Sequence, residues 1–263
     1  MYVCLGVPYF LGEHVNGRDE VAKIEASGFA ESISAPWITV QPEADENAII
    51  GVNRALAAAI AAHPDRTPII FASDCTSALG AVKGLTQAHG TPGVLWVDAH
   101  GDFNTPETTP SGFLGGMPLA ILVGRGDMRY MEGVDLAPLP ERDVVITDAR
   151  DLDPQEAVML RESDVMHLPV MSAIGTAPFP AKPLYIHFDT DVVRLEDMPG
   201  MSYPAVGGPT LDEAAESLRA VAGTQPIAGI LFSLWNDTLP TEGKSLVSTL
   251  HLARTFVEAH QQR

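Results

Sequence analysis

Three side chains able to bind a divalent cation stand two apart in the stretch Gly93 to Pro118, GVLWVDAHGDFNTPETTPSGFLGGMP: Asp98, His100 and Asp102. They follow an apolar run, Gly93-Val94-Leu95-Trp96-Val97. On an extended chain, residues two apart point to one side. One strand end therefore presents carboxylate, imidazole and carboxylate to one space. A second apolar run, Leu184-Tyr185-Ile186-His187-Phe188, ends in Asp189 and Asp191 at the same spacing. A third, Thr67 to Ser73, ends in Asp74-Cys75. If these ends converge, Asp98, Asp102, Asp189 and Asp191 repel one another strongly without a counter-charge, and two divalent cations supply it. Oxygen-rich ligation with one or two nitrogens favours Mn²⁺ over Zn²⁺. Two such ions convert a bridging water to hydroxide near neutral pH, which is the chemistry of metal-assisted hydrolysis. Local sequence leaves Cys75 open between a thiolate ligand and a small buried residue behind the site. His187 shares the Asp189 face by strict period two, which suggests a supporting role.

The elements that must position these residues alternate. Strands are expected at 2–8, 36–40, 67–73, 94–98, 144–147, 165–168, 184–188 and 227–234. Helices are expected at 19–27, 43–63, 77–89, 118–124, 155–162, 210–221 and 243–260. Asn16-Gly17 reads as a turn. Thr210 with Glu213 three residues on reads as a helix cap. The Thr-, Pro- and Gly-rich segment 101–115 is too long for a plain connector and reads as a functional loop. Such alternation makes an α/β fold with a mostly parallel sheet and helices on both faces. In such sheets ligands bind beyond the carboxyl ends of the strands, where the acidic residues fall.

No repeat or linker interrupts the 263 residues, so a single domain over 1–263 is expected. The formal charge is 16 − 34 = −18. That argues against phosphate-backbone contacts with nucleic acid and suits cationic ligands. No apolar run approaches the roughly 20 residues of a membrane span. The start, MYVCLGVPYFLGEH, reads as a first strand rather than an export signal, so the expected place is the cytoplasm. There a pair such as Cys4 and Cys75 normally stays reduced.

The motif DAHGDFNTPETTPSG with the following Gly116-Met117-Pro118 resembles the signature of ureohydrolases, the family of arginases, agmatinases and relatives. Phe188-Asp189-Thr190-Asp191, with Pro199 and Tyr203 to Gly208, resembles the second signature. Thr67 to Gly84 resembles the strand and helix that normally carry Gly-Gly-Asp-His-Ser, and Gly6-Val7-Pro8 the first strand end. The resemblance covers nearly the whole chain. It implies an arginase-like three-layer αβα fold, and association into trimers or hexamers is common in the family. It also implies two Mn²⁺ ions bridged by Asp98 and Asp189. His100 and Asp191 would complete one ion. Asp102 would bind the other and hold the bridging hydroxide as the catalytic residue. The sixth ligand, normally His, falls on Cys75. A thiolate is a soft partner for Mn²⁺, so that ion is expected to bind more weakly. Asn104 and Ser111 match positions that hold a substrate carboxylate, with Thr109 as a further candidate beside them, and Asp153 matches the acid that reads an α-amino group. Together they imply a small-molecule substrate with an amino-acid head, which argues against agmatine.

The distal end departs from the pattern. Aligning Gly229 and Asn236 without a gap puts Leu234 on the family's guanidinium-facing Glu. Asp237 takes that place only if the segment slips by three residues, and it is kept as a candidate on that basis. Where arginases read Ser-Gly-Asn-Leu-His-Gly, this chain has Ser111-Gly112-Phe113-Leu114-Gly115-Gly116. The missing His, at Gly115, is the expected proton donor to the departing amine, and its loss should cost about 10²–10⁴-fold where that step limits. An N-hydroxyguanidine is less basic than a guanidine and needs less of a facing carboxylate, and Gly115 would leave room for its extra atom. Cys75 and Gly115 together resemble a branch of the family that hydrolyses Nω-hydroxy-L-arginine in antibiotic biosynthesis. Ordinary arginase, a related guanidino- or formimino-acid hydrolase, and a catalytically weak amino-acid-binding protein remain the alternatives. His14 could lie near the mouth of the site, and Trp235 and Tyr203 could shape its wall.

Overall fold

A computed structural model of the chain describes residues 1–14, 17–42 and 44–263. Ten strands appear among them: β1 (Tyr2–Val7), β2 (Tyr9–Phe10), β3 (Glu13–His14), β4 (Trp37–Thr39), β5 (Thr67–Ala72), β6 (Gly93–His100), β7 (Val144–Asp151), β8 (Met166–Leu168), β9 (Leu184–Asp189) and β10 (Ile227–Ser233). Eight form one sheet in the order β4-β1-β5-β10-β9-β6-β7-β8, and every pair in it is parallel. β2 and β3 make a separate small antiparallel hairpin.

The sheet lies between two helical layers, each with its own apolar core. On β1, Val3, Leu5 and Val7 enter one core while Tyr2 and Cys4 enter the other. Both faces of the strand are covered, which is why it reads as a continuous apolar run rather than an alternating one. The first face carries α3 (Ala48–Ala61), α4 (Ala78–His89), α5 (Pro118–Leu122) and α6 (Met128–Gly133). The second carries α1 (Glu20–Ala26), α2 (Phe29–Ser32), α8 (Leu211–Thr224) and α9 (Lys244–Gln261). α7 (Pro154–Arg161) follows β7. The result is the three-layer αβα arrangement expected from the alternation.

Boundaries moved where a cap or a bond decided them. α3 begins at Ala48 because Asn47 caps it, its side chain accepting from the N–H groups of Ile49 and Ile50. The expected earlier start at Glu43, and Asn16 of the expected turn, lie outside the described residues. The cap at Thr210 formed as a reciprocal pair with Glu213. β6 runs two residues past its expected end, through Asp98 to His100. The short α2 and α6 carried too few periodic positions to be read from sequence. Cys4 and Cys75 are both free thiols. Among the described residues no helix is long and apolar enough to cross a membrane.

One helix contact bears directly on Cys75, which stands just ahead of α4. α4 crosses α3 at Gly80, where an added Cβ would lie 2.5 Å from the carbonyl oxygen of Asn53. Asn53 accepts from the Gly80 N–H at 2.6 Å and donates to the Ile49 carbonyl at 2.9 Å. Gly80→Ala must push the helices apart, and an overpacked contact of this kind costs about 1–3 kcal/mol. A thermal melt of the variant should show a clearly lower Tm. An unchanged Tm would mean that the crossing yields freely.

Candidate metal centre

The site forms where β5, β9 and β6 end. β6 and β9 are direct neighbours, in register from Gly93 with Leu184 to Val97 with Phe188, while β10 separates β9 from β5. At the end of β6 the register against β7 shifts between Asp98 and His100, where β7 carries Asp148 and Ala149 at positive φ. A local irregularity of this sort re-aims side chains beside functional sites.

The acidic residues are oriented before any cation is considered. Asp98 accepts from the Trp96 indole N–H at 3.1 Å and from the His100 amide at 2.7 Å. Asp189 accepts from the Asp191 amide at 2.9 Å, and Asp191 from the Ala99 amide at 3.2 Å. His100 Nδ1 lies 3.0 Å from Asp191 Oδ2 and 3.5 Å from Asp98 Oδ1. The Cys75 thiol donates to Asp189 Oδ2 at 3.0 Å and sits 3.3 Å from the Ser233 hydroxyl. Asp102 has a left-handed backbone, φ 47°, which Asp tolerates better than most residues. Its carbonyl accepts from the Leu119 and Ala120 amides at the start of α5.

Two donor groups emerge, each with its ligand atoms within 4.8 Å of one another: Cys75, Asp98, His187 and Asp189, and Asp98, His100 and Asp191. They share Asp98, as a two-ion centre requires. Asp102 belongs to neither group, and its Oδ2 is buried without a hydrogen-bond partner among the described residues. His187 was read from sequence as a supporting residue, yet it stands among the donors. Buried carboxylates, one of them with an orphaned oxygen, two imidazoles and a thiol are a donor set that fits divalent cations.

Without cations, protons take their place. Burial and the neighbouring Asp191 raise the Asp189 carboxyl to about 7. Burial and Asp98 raise Asp191 to about 6. Burial disfavours a charged His100, but its hydrogen bonds to Asp191 and Asp98 and their charges win, holding it up at about 12. Burial first, then Asp189, Asp102 and Asp98, pushes the Cys75 thiol well above its ordinary value. The two raised aspartates bind protons in the folded state at pH values where the unfolded chain has released them. Their contribution to stability is therefore present below about pH 4 and is lost as pH rises through about 6 to 7. Chelated protein should melt at a lower temperature at about pH 8 than at about pH 5, and Mn²⁺ should raise the Tm most at the upper end. A chelated Tm that climbs across that range would contradict the cluster.

A cavity of about 240 Å³ opens over the donors. Its lining includes Cys75, Asp98, His100, Asp102, Asp189 and Asp191, and also Asn104, Thr109, Ser111 and Asp153. Asn104 donates to Asp153 at 2.9 Å, so the two residues expected to read an amino-acid head are already joined. The Thr109 and Ser111 hydroxyls lie 3.3 Å apart at the exposed rim. Tyr203 lines the cavity. Trp235 is fully buried outside the lining, and His14 is exposed in the hairpin, also outside it.

Two expectations need correction. Asp237 does not line the cavity: its carboxylate pairs with Lys23 at 2.5 Å and accepts from the Trp235 indole at 3.3 Å. The turn after β10 points it away, and Leu234 lines the cavity instead. Gly115 does not leave a void either. A Cβ there would lie 2.3 Å from Cε1 and 2.4 Å from Cζ of Phe113. The ring folds back over its own loop and fills that space.

Several residues went unnoticed in the sequence. Glu156 is buried and accepts from the amides of Phe103 at 2.8 Å and Asp153 at 3.1 Å, fixing Asn104 and Asp153 relative to each other. Its signal was present: Asp153-Pro154 followed by Glu156 is a helix-start pattern. Arg150 donates to the carbonyls of Asp191 and Val192 and to Asp148, clamping the loop after β9. Arg18 lines the cavity, donates to the Trp235 carbonyl at 3.2 Å and pairs with buried Glu20 at 2.7 Å. Phe10 lies under its guanidinium and stacks on Phe113, which in turn tilts against Tyr203.

Comparison with known proteins gives consistent relatives. The profile of the Arginase family matches residues 33–232. The chain is 30% identical over 214 residues to an arginase of Bacillus caldovelox, covering 75% of this chain and 71% of that protein. It is 32% identical over 166 residues to an N(omega)-hydroxy-L-arginine amidinohydrolase of Streptomyces lavendulae, covering 62% of this chain and 58% of that protein. The crystal structure of arginase from Bacillus subtilis superposes with a TM-score of 0.87 at 26% identity, covering 98% of each chain.

Proposed function

The chain belongs to the arginase family and is an amidinohydrolase, and from that premise we propose that it is a cytoplasmic enzyme cleaving Nω-hydroxy-L-arginine to L-ornithine and hydroxyurea with two Mn²⁺ ions. The carrying observation is the cavity wall around Leu234. Where the resemblance puts a guanidinium-facing Glu, Leu234 lines the cavity, and the Arg18 guanidinium donates to the very next carbonyl, that of Trp235. A cationic guanidinium finds no carboxylate at that position. A neutral N-hydroxyguanidine needs none. The similarity to the Streptomyces lavendulae amidinohydrolase supports the same choice.

When bound, such ions would supply Lewis acidity and lower the pKa of a bound water. Cys75, Asp98, His100, Asp102, Asp189 and Asp191 would hold them. Asn104, Thr109 and Ser111 would take the substrate carboxylate and Asp153 its α-amino group, which aligns the guanidine carbon over the acidic floor. Asp102 accepts a proton from the attacking water. The water oxygen bonds to the guanidine carbon as its C=N double bond opens, the bond from that carbon to Nδ breaks with transfer of the proton from Asp102 to Nδ, and the water's second proton passes to the formerly doubly bonded nitrogen as the carbonyl forms. One product is hydroxyurea and the other carries the free δ-amine of ornithine. Gly115 offers no acid to help that last transfer, and the Phe113 and Tyr203 rings, 4.8 Å apart, line the cavity.

The test is a side-by-side assay with saturating Mn²⁺. Hydroxyurea release should exceed urea release from L-arginine by about 10²-fold or more in kcat/KM. Dominant urea release would establish an ordinary arginase, and turnover of neither would establish a binding protein. Cys75→His should tighten binding of the more weakly held Mn²⁺ by roughly tenfold or more. Equal affinity in a calorimetric titration of both proteins would refute the softness argument.

A further inference from the structure

We propose that His187 is a metal ligand, its imidazole completing a four-donor position with Cys75, Asp98 and Asp189 that prefers a borderline-soft divalent cation to Mn²⁺. The proposal rests on the two-metal reading above and changes one of its two positions.

His187 sits on β9, two residues before Asp189 and on the same face of the strand. A ring nitrogen lies within 4.8 Å of donor atoms of Cys75, Asp98 and Asp189, all of which lie within that distance of one another. The residue has no solvent exposure. Its Nδ1 is 3.4 Å from the Tyr185 hydroxyl. Its Nε2 is buried with no hydrogen-bond partner among the described residues. A buried ring nitrogen without a partner carries a desolvation cost that a hydrogen bond or a cation would remove.

The ring is also held still. It stacks on Trp96 with centroids 3.6 Å apart and planes 11° from parallel. Trp96 in turn donates its indole N–H to Asp98, so one residue orients two of the four donors. Tyr185, itself fully buried, occupies the other ring nitrogen, which is how ligating imidazoles are usually oriented. An imidazole with one nitrogen engaged, the other without a partner among the described residues, its plane fixed and a thiol and two carboxylates beside it has the outward form of a ligand.

The position offers one sulfur, one nitrogen and carboxylate oxygens. Thiolate and imidazole together suit Zn²⁺ or Co²⁺ better than Mn²⁺. The neighbouring group of Asp98, His100 and Asp191 has no sulfur and keeps the harder character. The centre is thus built with two unlike halves, and His187 restores on β9 the imidazole that Cys75 omits after β5.

The test uses the full-length protein loaded with Co²⁺ and read by X-ray absorption and by visible spectroscopy. Two Co²⁺ per chain should show one sulfur and two imidazoles per pair of ions, from Cys75, His100 and His187. A single imidazole per pair overturns the proposal, and this reading needs no variant. His187→Gln should weaken one of the two ions by about 10²-fold or more and change the ligand-field bands while leaving the thiolate-to-cobalt band in place. Unchanged affinity and bands overturn it. Zn²⁺ should displace Mn²⁺ from one of the two positions first, and equal displacement from both removes the claimed preference. Failure to bind any divalent ion removes both this proposal and the two-metal reading. Metal binding as expected with no hydroxyurea release removes the substrate assignment alone.

Discussion

Asp189→Asn is expected to lose about 10³-fold or more of turnover and, after dialysis against limiting metal, one of the two bound ions. Asp189 is the end of β9 and stands in the donor group with Cys75, Asp98 and His187. The amide keeps the shape but offers one weaker oxygen and no charge. It also takes away the acceptor of the Cys75 thiol at 3.0 Å and of the Asp191 amide at 2.9 Å if it turns its nitrogen inward. Each metal ion is worth several kcal/mol to the transition state, and each 1.36 kcal/mol is about tenfold in rate. Metal content is measured on the purified variant, and rate at saturating Mn²⁺. A variant with two ions and at least a tenth of the wild-type rate would show that Asp189 only supports its neighbours.

The second large effect concerns the slot over Gly115. Gly115→His alone should yield a poorly active protein, because its Cβ would lie 2.3 Å from the Phe113 ring and one of the two must leave. Displacing Phe113 also disturbs its packing on Phe10 and on Tyr203, where the ring centroids are 6.3 Å and 4.8 Å away. Phe113→Asn with Gly115→His clears the slot and supplies an imidazole that can protonate the departing amine. A positioned general acid contributes about 10²–10⁴-fold. The double variant should therefore gain urea release from L-arginine by at least tenfold over wild type, while the single histidine variant gains none. Steady-state kinetics of the four proteins in the cycle measure the coupling. Additive effects would mean that Phe113 and Gly115 do not share one space.

The metal half of the site was legible because its rule is local. Asp98, His100 and Asp102 need only period two at a strand end, and Asp189 with Asp191 repeats it. The layers were legible because continuous apolar runs alternate with helical periods, and only caps such as Asn47 shifted their limits. The distal end was not legible. Asp237 and Leu234 differ by a turn whose direction is set by partners far away in the chain, Lys23 among them. Phe113 looks like any loop aromatic until its ring is seen to fold back onto Gly115. His187 was visible on the right face, but the absence of a partner at Nε2 is a property of the packed interior, not of the string.

The strand order carries a consequence for how the protein comes to exist. β4, β1 and β5 form one contiguous patch and β6, β7 and β8 another, and the two strands made last, β9 and β10, lie between them. During synthesis Cys75 and Asp98 therefore belong to halves with no direct neighbour contact in the sheet. The seam closes only when the last strands arrive, and they bring Asp189 and Asp191 with them. Long-range parallel pairing of this kind is slow, so the emerging chain keeps an open gap with unpaired edges on both sides until late. The donor set is completed only at that late step, because a chain stalled before β9 holds Cys75, Asp98, His100 and Asp102 but lacks Asp189 and Asp191.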